Sequence, residues 1–404
     1  MIMSYKSNTK ASFLLLLLYL TIAAFSMKIM IGMSGVFEEF AVPDLLNRCA
    51  NLFYIVIIGM WLAYHKLDRS SLGLGTMQFL LVFIFLDFFV NSFNGTSIQE
   101  TLYREIPLFL SIFTYIVAYN LYLRYPYEKS LLSYAVIGIT IVLCVNYLIL
   151  SNGLRVTFNH SSLRLGIAYV PLIFTPLLLF NDKNKLKWAC FLIIAYILID
   201  SGKRGGLVAV IAGLLLYLSY SSSTIKKSKK IRITIIVSLV LIVFGNDIFE
   251  YLSNSEMYER LLNGSEDSDY SSGRVGIYKE VLSKYWDSGL SGLFFGHGLG
   301  SVQNFTKQGF TAHNDFIEAL FDFGLIGFIS YLIFYWSFIR QIVRINYKQI
   351  KGVYVYTFTL MFLLSIFSQI FIYQYLCLFT FVLGALSGTH CQVEQRINKK
   401  RRMK

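Results

Sequence analysis

Charge is scarce in this chain of 404 residues: 15% are Asp, Glu, Lys or Arg, against 56% hydrophobic and 17% aromatic. Soluble domains carry about 25% charged residues, so the composition argues against a soluble fold and for a helical membrane protein. Proline is nearly absent, with 5 residues, and long apolar runs follow one another along the chain. They are continuous rather than alternating, which argues against a transmembrane β-barrel. Cysteine is equally rare. The 5 cysteines, Cys49, Cys144, Cys190, Cys377 and Cys391, are scattered, and no two have the spacing of a metal site. Most fall in apolar runs or near the basic C-terminus, so no disulfide framework is expected. There is no internal repeat and no low-complexity tract.

What the chain does have is a series of apolar segments. A bilayer-spanning helix needs ~20 mostly apolar residues, and there are twelve candidates: about 11–31, 48–64, 72–92, 105–123, 130–150, 165–180, 187–201, 205–221, 231–249, 314–339, 352–369 and 371–388. Segment 165–180 contains two prolines, and 352–388 reads as two spans or as one bent segment. The first segment is followed by Lys28 and by no small-residue cleavage site, so it is expected to be retained rather than removed as a signal peptide.

With the N-terminus in the cytosol, alternate connections collect most of the 36 Lys and Arg, including the runs at 183–187, 226–232 and 340–351 and the tail from Arg396. The acids fall mostly on the other side. This is the positive-inside bias, and it places both termini in the cytosol and the one long polar interruption outside. The net charge of +13 therefore requires no nucleic-acid partner, and the basic runs act as topology signals beside anionic lipid. The expected fold is all-α: a polytopic helical membrane protein with about 12 transmembrane helices and one large extracytoplasmic loop between helices 9 and 10. Residues 1–249 would hold nine spans, 250–313 the loop, 314–390 three more spans and 391–404 a basic cytoplasmic tail.

The loop carries ordered features. Residues 274–286 place Ile277, Val281 and Tyr285 on one helical face. Such a helix either lies on the membrane or packs against the protein body. The glycines from Gly289 to Gly300 permit tight turns. Three short outer connections are also polar: 91–105 with Arg104, 151–164 with Arg155, His160 and Arg164, and 200–206 with Lys203 and Arg204.

Several of these residues suit anion chemistry. Lys203 and Arg204 stand where the eighth span begins, at the positive end of a helix, where two cations are misplaced unless an anion joins them. Free amides at that end, with Gly205 and Gly206 allowing close approach, would suit a phosphate; the plainer alternative is a lipid headgroup or a pair with Asp200. Arg164 opens the sixth span as a second candidate or as a snorkelling arginine. Arg274, after two serines and a glycine, offers a permanent charge that can bind two oxygens at once. His313 is the acid/base candidate, followed by Asn314, a good helix cap, and by Asp315, Glu318 and Asp322 as an acidic stripe. His297 reads as a turn residue, and His65 and His390 as cytosolic. Glu266-Asp267-Ser268-Asp269 lacks the ordered ligands and glycine of a calcium loop, so no metal site is assigned. Asp87 is an acid within the third span, a default functional hypothesis left open here.

Taken together, Ser201-Gly202-Lys203-Arg204-Gly205, Ser272-Gly273-Arg274 with Trp286, Gly296-His297-Gly298-Leu299-Gly300, His313-Asn314-Asp315-Phe316-Ile317 and Asp322-Phe323-Gly324-Leu325-Ile326-Gly327 resemble the O-antigen polymerase and ligase superfamily. The motif resemblance covers about 200–328, and the rest agrees in topology alone. It implies a GT-C-like glycosyltransferase at the periplasmic face of the bacterial inner membrane. The donor would be a glycan on undecaprenyl pyrophosphate, with no cofactor and no required metal. Partners would be that lipid-linked oligosaccharide, membrane lipid and a chain-length regulator protein. By the same resemblance Arg204 and Arg274 would bind the pyrophosphate, with Arg164 and Lys203 as further contacts. His313 would orient or deprotonate the acceptor hydroxyl, supported by Asn314. Lys203 departs from the family, where a small or hydroxyl residue is common at that place.

Three activities compete. A polymerase extends another lipid-linked repeat; a ligase transfers to lipid A–core. A lipid-linked oligosaccharide flippase shares the length, the spans and the basic charge, but would bury charges along a cavity and keep its outer loops short. This chain does the reverse.

Overall fold

The computed structural model describes residues 19–24, 26, 54–56, 58–59, 77–94, 97–124, 131–158, 167–180, 186–201, 203–221, 274–306, 311–368 and 375–402. Every regular element among them is helical: α1 (Gln78–Phe93), α2 (Ile98–Arg124), α3 (Leu131–Phe158), α4 (Tyr169–Ile173), α5 (Thr175–Leu179), α6 (Leu186–Asp200), α7 (Arg204–Ser221), α8 (Arg274–Trp286), α9 (Gly289–Phe295), α10 (Ser301–Phe305), α11 (Asp315–Arg344), α12 (Lys348–Phe367) and α13 (Leu376–Arg402). Among the described residues, four stretches are long and apolar enough to cross a membrane: Glu105–Arg124, Asp315–Arg344, Lys348–Phe367 and Leu376–Lys399. Shorter apolar helices run over Gln78–Phe93, Tyr134–Leu150 and Gly205–Ser221. The expected ninth span, 231–249, and the loop as far as residue 273 lie outside the described residues.

Several boundaries differ from the sequence expectation. The outer connection at 91–105 is much shorter, because α1 runs to Phe93 and α2 already begins at Ile98. The connection at 151–164 is helical as far as Phe158. Segment 165–180 is not one helix: α4 and α5 are separate short turns, with Pro171 and Pro176 each removing a backbone donor. Region 352–388 contains two helices, α12 and α13, rather than one bent segment. The basic tail is helical too, since α13 continues to Arg402.

The chain forms two compact units, one of Met1–Leu72, Phe113–Ile194 and Leu378–Lys404, the other of Gly73–Ile112 and Ala195–Cys377. In the first, Gly384 and Gly388 of α13 lie against the Tyr115 and Tyr119 carbonyls of α2, a contact in which a Cβ would overlap backbone. Small residues four apart let two helices approach closely in this way. Phe381 meets the rings of Tyr19 and Tyr122 edge-on, and those two hydroxyls bond at 3.0 Å.

The second unit holds the candidate site. There α7 packs along α12, with Gly213 facing Tyr356 and Gly352 facing Tyr217. Aromatic rings join α1 to α11, with Phe83 stacked on Phe323 at 4.0 Å and Phe79 against Phe334 at 4.6 Å. Between α11 and α12 the Tyr331 and Tyr335 hydroxyls share the Ser365 Oγ, at 3.0 and 2.8 Å. Helix α8 covers the predicted 274–286, and its predicted face is buried against the protein, not laid on lipid. Val281 and Tyr285 pack with Val302, Ala312 and Phe321, and Ile277 adjoins them. Burying Val281 alone stabilises this seat by roughly 1.5–3 kcal/mol.

Helix α11 breaks at Gly324, which has φ 63 and ψ −167. The break frees the carbonyls of Phe321 and Asp322, and the Gly296–Gly300 turn answers them. His297 N donates to both, at 3.2 and 3.1 Å, and Gly298 N donates to Asp322 O at 2.8 Å. The fit leaves no room for side chains: a Cβ on Gly296 would overlap the Asp322 carbonyl, and one on Gly324 the Phe294 backbone. Both glycines also have positive φ. Gly296→Ala and Gly324→Ala should therefore each destabilise by at least about 2 kcal/mol, seen as a lower thermal midpoint in detergent. Gly276→Ala, on exposed α8 surface with nothing within 4 Å, should be neutral or stabilising.

Candidate functional site

Three segments far apart in sequence meet at the end of α12. Arg274, the first residue of α8, donates from its guanidinium to the Phe367 carbonyl at 2.9 Å. Phe367 also receives the start of α7: a Cβ on Gly205 would stand 2.6 Å from the Phe367 Cβ. The space that a ligand was expected to enter at Gly205 is thus filled by Phe367. The chain reaches this point through Ser201, which closes α6, and Lys203, whose N–H bonds Leu198 O at 2.9 Å. Arg204 opens α7 as expected, at the end where backbone N–H groups lack intrahelical partners; its side chain lies outside the described residues. Arg164 does too, as do Ser272 and Gly273 and the acidic run 266–269.

His313 stands in the turn before α11. It has a φ of 51, alone in the left-handed region among the described non-glycine residues. Such a conformation costs of order 1–3 kcal/mol and persists only where the surroundings enforce it. Here Asn314 does so. It caps α11, its Oδ1 accepting from Phe316 N at 3.0 Å and Ile317 N at 3.2 Å. Asn314 thus shapes the turn that presents the imidazole. On the other side, Ala312 is buried and its N–H donates to Glu318. Thr311 Oγ1 lies 3.5 Å from His313 Nδ1, a weak contact at best.

His313 is exposed to solvent by surface area, although protein atoms crowd around its ring. Burial is the main influence on its proton affinity, followed by the positive charges of Arg274 and then Lys203; together they lower its pKa from 6.5 to about 4. Water at the ring's rim moderates the size of that shift but not its direction. The two cations and the histidine therefore share one electrostatic field, and the imidazole is neutral near pH 7, able to accept a proton.

The acidic stripe acts differently from the sequence expectation. Asp315, Glu318 and Asp322 are all buried. Glu318 takes the Ala312 N–H, and Asp322 takes donors from the 300–302 turn. Glu318 and Asp322 hold backbone in place, and the charges that act on His313 are cations. His297 is a turn residue as expected, its ring 4.6 Å from Phe321 and 5.1 Å from Phe305, with burial lowering its proton affinity. The Phe367 carbonyl is the contributor that sequence reasoning missed. A backbone acceptor at a helix end leaves no residue signature.

Removing either cation should raise the pH at which His313 protonates. In Lys203→Met and Arg274→Met, peptide-resolved modification of neutral imidazole by diethyl pyrocarbonate should show a higher midpoint than in the wild type. Unchanged midpoints in both would mean that the three groups do not share a site.

Residues 189–332 match the family described as O-antigen ligase. None of the curated proteins matches the chain. The matched segment contains Lys203, Arg274, His313 and Asn314, which the fold gathers, and also Arg204. Over those residues this membrane protein is similar to the O-antigen polymerase and ligase superfamily.

Proposed function

We propose that the protein is a polymerase of O-antigen or a related surface polysaccharide. It would transfer a glycan from undecaprenyl pyrophosphate onto the non-reducing end of another lipid-linked repeat. The work would take place at the outer face of the inner membrane, with both termini in the cytoplasm and a chain-length regulator as partner. The observation that supports this most is the shared field of Arg274, Lys203 and neutral His313 beside the Phe367 carbonyl.

In this scheme the acceptor hydroxyl oxygen attacks the anomeric carbon of the donor glycan. A new C–O bond forms there as the bond from the same carbon to the pyrophosphate oxygen breaks. The electron pair leaves with the lipid pyrophosphate, whose growing negative charge meets Arg274, Lys203 and Arg204. Charge stabilisation of this kind is worth about 10²–10³ in rate per group. The hydroxyl proton passes to the His313 imidazole, a contribution of about 10²–10⁴. Arg164 would add a further cation to the same pyrophosphate.

A ligase using the same donor is the second reading, favoured by the description of the matched family. A deletion strain separates the two on a lipopolysaccharide gel. Loss of a polymerase leaves core with one repeat. Loss of a ligase leaves bare core, with polymer stranded on the carrier lipid. Arg204→Ala, Arg274→Ala and His313→Ala should each abolish chain extension at normal protein level. Full ladders in all three would reject the site.

A further inference from the structure

Two buried carboxylates grip the Gly296–Gly300 turn, and the chemistry above uses neither. Asp87 of α1 accepts the Leu299 N–H through Oδ1 at 2.6 Å. Asp322 of α11 accepts the Gly300 N–H through Oδ2 at 2.8 Å; its Oδ1 takes the Ser301 hydroxyl at 2.8 Å and the Val302 N–H at 3.3 Å. Both aspartates are 0% exposed. Hydrogen bonds to a carboxyl group gain strength away from water.

The grip leads to the site. Val302, whose N–H Asp322 holds, lies in the same buried cluster as Val281 and Tyr285 of α8. Phe321, beside Asp322, and Ala312, beside His313, complete that cluster. The Tyr285 hydroxyl donates to Leu293 O at 2.7 Å and ties α8 to α9. The turn therefore fixes α10, whose Val302 forms with Phe321 and Ala312 the floor on which α8 rests, and α8 presents Arg274 at its first residue.

We propose that Asp87 and Asp322 are positioning residues: by clamping the turn from two helices they seat α8, and so hold Arg274 in register with His313. The functional part of this rests on the transferase reading; the seating of α8 does not. The two carboxylates differ in what they tolerate. Every contact named for Asp322 comes from a donor, and these occupy both of its oxygens, so an amide at 322 sets an NH2 against one of them. At 87 an amide still offers an oxygen to the Leu299 N–H. Asp87→Asn should be mild, and Asp87→Leu and Asp322→Asn severe.

The test uses the full chain in nanodiscs, in a cysteine-free background, with spin labels at the exposed positions Lys279 on α8 and Ile329 on α11. A synthetic prenyl-pyrophosphate-linked oligosaccharide serves as donor. Asp87→Leu and Asp322→Asn should broaden the distance distribution and lower kcat by at least about 10-fold, with KM for donor changing less, because Arg274 acts on charge that develops in the transition state. Asp87→Asn should keep a narrow distribution and kcat within a few-fold of wild type. Ser301→Ala, which removes one bond to Asp322 and leaves the backbone intact, guards against a variant that fails to fold; it should lower kcat by a smaller factor. Narrow distributions in Asp87→Leu and Asp322→Asn would overturn the proposal, as would broad ones with undiminished kcat. Broadening in Asp322→Asn together with a fully active Arg274→Ala would instead reject the transferase reading and leave the seating of α8 supported.

Discussion

A helix broken within an apolar bundle must find partners for the backbone groups it frees, and α11 meets that constraint with a loop. Each polar group left bare in such surroundings costs several kcal/mol. The Phe321 and Asp322 carbonyls are answered by His297 and Gly298 N–H groups, in a fit that only glycine permits at 296 and 324. Much of the surrounding architecture follows. The turn fixes α10, α10 and Phe321 supply the floor for α8, and α8 delivers Arg274 to the end of α12.

The site built on this frame departs from ordinary helix electrostatics. Lysine and arginine gather at the start of α7, where the helix dipole already presents positive charge. Burial, then the charges of Arg274 and Lys203, lower the proton affinity of His313. A strained turn holds that histidine out of the α11 helix. Positive charge beside a neutral base would suit the proposed reaction, which sheds an anion.

Part of this was legible in the sequence. The period of Ile277, Val281 and Tyr285 gave α8 its limits, because a helix seated on protein must repeat its apolar residues. Asn314 announced the start of α11 through its capping chemistry. Lys203, Arg274 and His313 stood out by residue type. The acids of α11 were misread because their spacing on one face says nothing of whether that face meets water or a backbone turn. Likewise Gly205 looked open to a ligand until Phe367, far along the chain, was seen to fill the space. The aspartate in α1 could be flagged as unusual, but its Leu299 partner was set by tertiary contact alone.

The central claim is that Lys203, Arg274 and His313 surround the place where a lipid pyrophosphate is released. The most direct measurement is a density map of the protein in nanodiscs with a short-chain prenyl pyrophosphate bound. Both phosphates should lie against Arg274 and Lys203, within reach of the His313 ring and next to the Phe367 carbonyl. Phosphate density at another surface, with these three side chains left empty, would contradict the account.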